Sequence, residues 1–195
     1  QESEENPALA LETNVAGTWQ VLEAVRKLKA WKGQVIVASS DKAYGEQANL
    51  PYREDFPLLG ENPYDCSKSC ADRIAHMYAK VYGLSLCITR CANVFGGGDL
   101  HFSRLIPGTI KSLFFNKPVE IRSDGLSQRD YVYVKDIVEA HLRAALALAE
   151  QNISGEACNL GSAKPLQTLD VVNRIAKAMR KDHIKPIILA TAKHE

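Results

Sequence analysis

The chain reads as an α/β protein with a parallel sheet. Helical and extended segments alternate from one end to the other, the pattern of β-α-β units. The extended pieces are short apolar runs such as Val35-Ile36-Val37, which suit strands covered on both faces. With 195 residues, 46% of them hydrophobic, the chain is long enough to bury a proper core.

Each element has a local cause. From Pro7 to Lys29 the apolar positions Val15, Leu22, Val25 and Leu28 recur near helical spacing, and Pro7 suits a first turn. Gln34 to Ala38 reads as a buried strand. Ser39 to Asn62, rich in Gly, Pro and Asp, reads as a long loop. Pro63 to Tyr82 is a helix that Gly83 can close in a left-handed conformation. Leu84 to Thr89 is the next strand, and Phe102 to Phe115 a helix beyond the Gly96-Gly97-Gly98 turn. Val119 to Arg122 and Asp130 to Val134 are short extended pieces. Val134 to Glu150 is an Ala- and Leu-rich helix, Ala157 to Leu160 a strand, and Thr168 to Arg180 a helix with Thr168 as its expected N-cap.

Composition excludes several roles. The formal net charge of +1 supplies no global field toward nucleic acid or an anionic membrane. No apolar run has the length of a membrane span, and the acidic, polar start has no signal-peptide character, so the expected compartment is the cytoplasm. Five cysteines without a secretion signal argue for reduced thiols rather than a disulfide framework. The Cys66/Cys70 and Cys87/Cys91 spacings lack the tight knuckles or nearby histidines of zinc sites, so no metal is expected. The start at Gln1, and an apolar run opening at Ile187 just before the end, suggest a portion of a longer enzyme.

Tyr64 and Lys68 stand four apart at the start of a helix, which puts both side chains on one face. They follow a strand that ends in Ser39-Ser40, and pockets of parallel sheets lie at the carboxyl ends of strands. A phenol with a pKa of about 10 is a poor base at neutral pH, but a neighbouring ammonium stabilises its anion. Such a tyrosine can take the proton of a sugar hydroxyl while hydride leaves the same carbon. The Ser40 hydroxyl would bond the same oxygen.

The motifs carry a resemblance. They are T-N-V-A-G-T (Thr13 to Thr18), S-S-D-K-A-Y-G (Ser39 to Gly45), P-Y-D-C-S-K (Pro63 to Lys68), R-C-A-N-V-F-G (Arg90 to Gly96), R-L-I-P (Arg104 to Pro107) and R-D-Y-V-Y-V-K-D (Arg129 to Asp136). In order and spacing the chain resembles the extended short-chain dehydrogenases/reductases that act on nucleotide sugars. The resemblance implies the C-terminal part of a Rossmann-type parallel sheet with helices on both faces, plus part of a smaller substrate-binding lobe. Residues 1–95 would be the second half of the NAD-binding domain and carry the catalytic residues. Residues 96–195 would be the substrate lobe, interleaved with the last sheet elements. The family's G-x-x-G-x-x-G turn, which holds the NAD pyrophosphate, is not in this sequence, and Gly96 to Gly98 lacks its spacing.

The same resemblance implies roles. Ser40, Asp41, Lys42, Tyr64 and Lys68 would be catalytic. Asn14, Ser39, Tyr64 and Lys68 would contact NAD, with a buried, hydrogen-bonded side chain the equal alternative for Asn14. Asn93 and Arg129 would hold the sugar-nucleotide diphosphate, for which a guanidinium fork is well shaped. Arg104 would add a phosphate or nucleotide contact, against the alternative of a solvated helix charge. His101 would lie near the substrate, whereas His76 and His141 are expected to be structural or solvated. Asp136 is expected to anchor its helix. The partners implied are a nucleotide-diphosphate sugar and a second copy of the chain, joined through Pro7–Lys29 and Pro63–Tyr82.

Asp41-Lys42 separates the reactions. Thymidine-diphosphate sugar 4,6-dehydratases carry Asp-Glu here, and simple C4 epimerases need neither group. Lys42 departs from the first pattern and resembles cytidine-diphosphate-glucose 4,6-dehydratases and inverting dehydratases. The resemblance therefore implies a 4,6-dehydratase with a 4-epimerase as alternative; an inactive binding module and a local Asp41–Lys42 ion pair stay open.

Overall fold

The computed structural model describes residues 2–30, 32–151 and 153–192. Its helices are α1 (Glu2–Glu5), α2 (Pro7–Leu11), α3 (Gly17–Lys27), α4 (Pro63–Tyr82), α5 (Leu105–Phe114), α6 (Val134–Glu150) and α7 (Thr168–Ala178). Its strands are β1 (Val35–Ser40), β2 (Leu86–Cys91), β3 (Asn93–Phe95), β4 (Glu120–Ile121), β5 (Gln128–Arg129), β6 (Tyr131–Tyr133), β7 (Ala157–Leu160), β8 (Leu166–Gln167) and β9 (Ile187–Ile188). The chain divides into two compact units, Gln1–Ala92 with Lys135–Leu160, and Asn93–Val134 with Gly161–Glu195.

The first unit is a parallel sheet in the order β1-β2-β7. Alternate residues of a strand face opposite sides, and the sheet uses this. Val35, Val37, Leu86, Ile88 and Ala157 pack with Leu22 of α3 and with Ala75, Tyr78 and Ala79 of α4. Thr89, turned the other way, bonds His141 of α6 through its hydroxyl at 3.0 Å. Helices therefore cover both faces, and β2 is buried from Leu86 to Arg90. Leu22, Leu86 and Ile88 are at most 1% exposed, and each such side chain contributes about 1.5–3 kcal/mol of burial.

Helix α4 ends as its sequence requires. Gly83 takes φ 68, its N–H bonds Ala79 O at 3.0 Å, and Leu84 N–H bonds Tyr78 O at 3.3 Å. The span expected from Pro7 is instead three pieces, because Glu12–Ala16 winds as a π-helix before α3 begins. Strand β1 runs on through Ser39 and Ser40, which were expected to open the loop, because both pair in register with Arg90 and Cys91 of β2. β2 itself lies two residues later than its apolar run, since Arg90 finds a buried partner.

In the second unit the described residues pair as β3-β6, β4-β9 and β5-β8. Leu113 of α5, Val119, Ile121 of β4 and Val172 and Ala176 of α7 form its core. Helix α5 starts at Leu105 rather than Phe102. Helix α7 has Gln167 at its cap position with no side-chain cap bond, so Thr168 is not the cap. Its hydroxyl donates to Ser127 O at 3.3 Å and ties α7 to the preceding strand pair. The run from Ile187 pairs as β9; residues 193–195 lie outside the described residues. Among the described residues no helix is long and apolar enough to cross a membrane.

Candidate active site

At the carboxyl end of β1, Lys68 Nζ of α4 donates to Ala38 O at 3.2 Å. Burial holds the Lys68 ammonium below the usual lysine range, with the nearby Cys91 sulfur acting in the opposite sense. The same ammonium lies 6.0 Å from the centre of the Tyr64 ring, one helical turn back. Tyr64 is 39% exposed. Beside Ala38, the Ser39 side chain is buried, and its hydroxyl has no hydrogen-bond partner among the described residues.

Ser40 caps the next element. Its Oγ accepts from Lys42 N–H at 3.2 Å and donates to Asp41 Oδ1 at 3.2 Å. This starts a 3₁₀ turn, Asp41–Tyr44. Asp41 and Lys42 make no ion pair with each other among the described residues, so the local pair that would have neutralised them is not formed. The turn is held against α4 by Ser69 Oγ, which donates to Ala43 O at 2.7 Å. Gly60 N–H donates to the same oxygen at 3.2 Å. A Cβ at Gly60 would come within 2.5 Å of the Asp65 backbone, which explains a glycine there.

Asn14 lies in the π-helical segment, where Gly17 N–H reaches back five residues to Glu12 O. Such segments redirect side chains and are frequent at functional sites. Asn14 Nδ2 donates to Ser67 Oγ at 2.9 Å, and Ser67 Oγ donates to Tyr64 O at 2.7 Å. The relay fixes the turn of α4 that carries the tyrosine. Asn14→Ala is expected to lower stability by about 1 kcal/mol, read from the denaturant midpoint. An unchanged midpoint would remove the relay from the fold.

Asn93, Arg104 and Arg129 all belong to the second unit. Asn93 Nδ2 donates to Asp130 O at 3.0 Å. Arg129, half-buried on β5, bonds Gln128 O through Nη1 at 2.9 Å. Arg104 stands at the cap position of α5 and pairs with Asp99 at 3.1 Å, closing the 99–104 loop. The exposed His101 donates its backbone N–H to Oδ1 of the same aspartate at 3.0 Å. His76 bonds Gly155 O, and His141 bonds Thr89 and Ile137 O, so both are structural. All five cysteines are free, and no group of three or more His, Cys, Asp or Glu that could hold a metal occurs among the described residues.

Three features of the site escaped sequence reading. Ser67, the relay, sits inside the P-Y-D-C-S-K motif but carries no signal of its own. Cys91 lies close enough to Lys68 to affect it. Asp72 and Arg90 form a buried ion pair behind the turn; a charge inside an apolar strand was its only sign.

Residues 1–161 match the family model described as the NAD dependent epimerase/dehydratase family. The chain belongs to that family. It is 31% identical over 185 residues to a probable dTDP-glucose 4,6-dehydratase of Sinorhizobium fredii, covering 90% of this chain and 51% of that protein. A dTDP-glucose 4,6-dehydratase of Bacillus anthracis, solved in complex with NAD, superposes with a TM-score of 0.79 at 30% identity, over 91% of this chain and 56% of that one. UDP-glucose 4-epimerase of Thermotoga maritima, solved with UDP-glucose, superposes with a TM-score of 0.82 at 26% identity, over 95% and 59%. The chain spans about half the length of the curated relatives it matches. Its sheet and helices are thus part of a Rossmann-type fold.

The family's cofactor can be tested against the side chains present. The buried Ser39 hydroxyl, which has no hydrogen-bond partner among the described residues, the Lys68 ammonium and the part-exposed Tyr64 lie at one strand end. Hydroxyl and ammonium donors of this kind fit a ribose and its nicotinamide, so this part of the site suits the group.

Proposed function

We propose that the chain carries the chemical half of an NAD-dependent nucleotide-sugar 4,6-dehydratase, a lyase acting on a nucleoside-diphosphate hexose. The observation that carries this reading is the Lys68–Ala38 bond, which brings the Tyr64–Lys68 helix to the strand end that bears Ser39, Ser40 and Asp41. Residues 1–95 would form the catalytic half of the NAD-binding domain and residues 96–195 the substrate lobe, interleaved with the last sheet elements. Asn93, Arg104 and Arg129 would bind the diphosphate and its nucleotide. Asn14, Ser39, Tyr64 and Lys68 would hold NAD, which accepts hydride from C4 and returns it at C6 when bound.

The chain's own groups then move protons. Lys68 stabilises the Tyr64 phenolate, and Tyr64 takes the C4 hydroxyl proton while Ser40 bonds that oxygen. The ketone so formed acidifies the C5 proton. Lys42 would take that proton and return it to C5 as C6 is reduced, and Asp41 would pass a proton to the departing C6 hydroxyl, which leaves as water. The exposed apolar side chains of α3 (Trp19, Val21) and α4 (Met77, Val81) would supply a homodimer face, and the compartment would be the cytoplasm.

Incubating the fully encoded protein with nucleoside-diphosphate glucoses tests the reading. A 4-keto-6-deoxy product, seen by its ultraviolet absorbance in alkali, is expected; an inverted C4 alcohol alone would make the protein an epimerase. The pH profile is a second check. Losing the Lys68 proton removes the cation beside Tyr64, and burial lowers the pH at which that happens. The alkaline limb of kcat should therefore fall below the free-lysine value of about 10.4. Lys68→Met should abolish that limb together with most of the activity.

A further inference from the structure

The Asp41–Tyr44 turn ends on a side chain that no step above uses. Tyr44 is wholly buried. Its hydroxyl donates to Asn159 Oδ1 at 2.8 Å and accepts from Arg90 Nη1 at 2.7 Å. The Arg90 guanidinium also lies over its ring, 4.8 Å from the centre, and Tyr52 stacks on it at 4.9 Å. Arg90 is fixed in turn: Nε and Nη2 bond both oxygens of Asp72 at 2.8 and 2.9 Å, and Nη1 bonds Glu54 O at 3.0 Å. Asn159 is fixed too, through Nδ2 to Tyr52 O at 3.0 Å and through its N–H to Glu54 Oε1 at 2.9 Å.

A four-residue turn has few internal bonds to set its place. This one is held at its far end by a phenol bonded to β2, β7 and, through Arg90, α4. Its near end carries Asp41 and Lys42 three and two residues away. Proton transfers at C5 and C6 need both groups within hydrogen-bond reach of atoms on one sugar, and a displacement of about 1 Å can cost roughly 10²-fold in rate. Lys68, which serves Tyr64, is held separately by Ala38 O.

We propose that Tyr44, anchored by Arg90, Asp72 and Asn159, is a positioning residue that fixes Asp41 and Lys42 for the elimination step and leaves the C4 oxidation to Tyr64. The proposal rests on the dehydratase reading. In that step the C5–H bond breaks and its proton goes to Lys42. The electron pair forms the C5–C6 double bond, and the C6–O bond breaks as Asp41 protonates the leaving oxygen.

The test is Tyr44→Phe in the fully encoded protein. The ring, its stacking and its burial stay, and only the hydroxyl is lost. Formation of the 4-keto-6-deoxy product is expected to slow about 10–100-fold. The C4 oxidation, followed at the absorbance of reduced nicotinamide, should stay within about twofold. Reduced nicotinamide then accumulates during turnover, which a general loss of folded protein does not produce. Asn159→Ala reaches the same hydroxyl from its other partner and should repeat the pattern if Tyr44→Phe folds poorly. Product formation unchanged, or both steps falling in parallel in both variants, overturns the proposal. A wild-type protein that makes no 4-keto-6-deoxy sugar overturns the dehydratase reading as well, and is distinguished because no variant is needed to see it.

Discussion

Tyr64→Phe is expected to lower kcat by about 10²–10⁴-fold while KM changes little. The substitution removes one oxygen from a side chain that is 39% exposed and keeps the ring. In the proposed mechanism, what is lost is the acceptor for the C4 hydroxyl proton. Lys68 does not replace it: its Nζ donates to Ala38 O and lies 6.0 Å from the ring centre of Tyr64. The proposed diphosphate contacts through Asn93, Arg104 and Arg129 do not involve Tyr64, so the loss should fall on kcat. Steady-state kinetics with the accepted nucleotide sugar read it directly. No reduced nicotinamide should appear, the reverse of the accumulation expected for Tyr44→Phe. A kcat within twofold of wild type would place the base elsewhere.

What the sequence made legible follows from where local physics decides. Helices α4 and α6 and strand β7 match their expected spans residue for residue. A proline start and a glycine stop define α4, a dense Ala/Leu run defines α6, and an apolar run between loops defines β7. Elements whose limits depend on a partner were less legible. β1 extends over two serines because β2 offers backbone partners there, and β2 accepts Arg90 because Asp72 waits across the interior. The π-helical segment leaves no mark in hydropathy. For the candidate site, the motifs brought Ser39, Ser40, Asp41, Tyr64 and Lys68 forward. They did not show Ser67 or the Tyr44–Arg90–Asp72–Asn159 cluster. Those groups act through side-chain hydrogen bonds over separations of up to 115 residues, which no periodicity records.

Asp72→Ala is expected to be the most damaging single change to the fold. Asp72 is 1% exposed and Arg90 7%, and the carboxylate meets the guanidinium through two bonds of 2.8 and 2.9 Å. Burial alone would lower the Arg90 pKa, but Asp72 and the Tyr44 oxygen outweigh it and hold the guanidinium above its usual range. It therefore stays charged. Without Asp72 that charge is left inside the protein with two neutral partners, the Tyr44 hydroxyl and Glu54 O. Breaking one side of a buried pair costs about 3–5 kcal/mol, on the order of 10 °C in Tm for a chain of this size. The exposed Arg53–Asp55 pair is the internal control: its side chains are 69% and 65% exposed, and Asp55→Ala should leave Tm unchanged within error because solvent screens the pair. The double variant Asp72→Leu with Arg90→Met should recover most of the loss, since it leaves no buried charge to solvate. A midpoint for Asp72→Ala within about 1 kcal/mol of wild type would mean that Arg90 finds water on its own. The clamp behind the Asp41–Lys42 turn would then rest on Asn159 and Tyr52 alone.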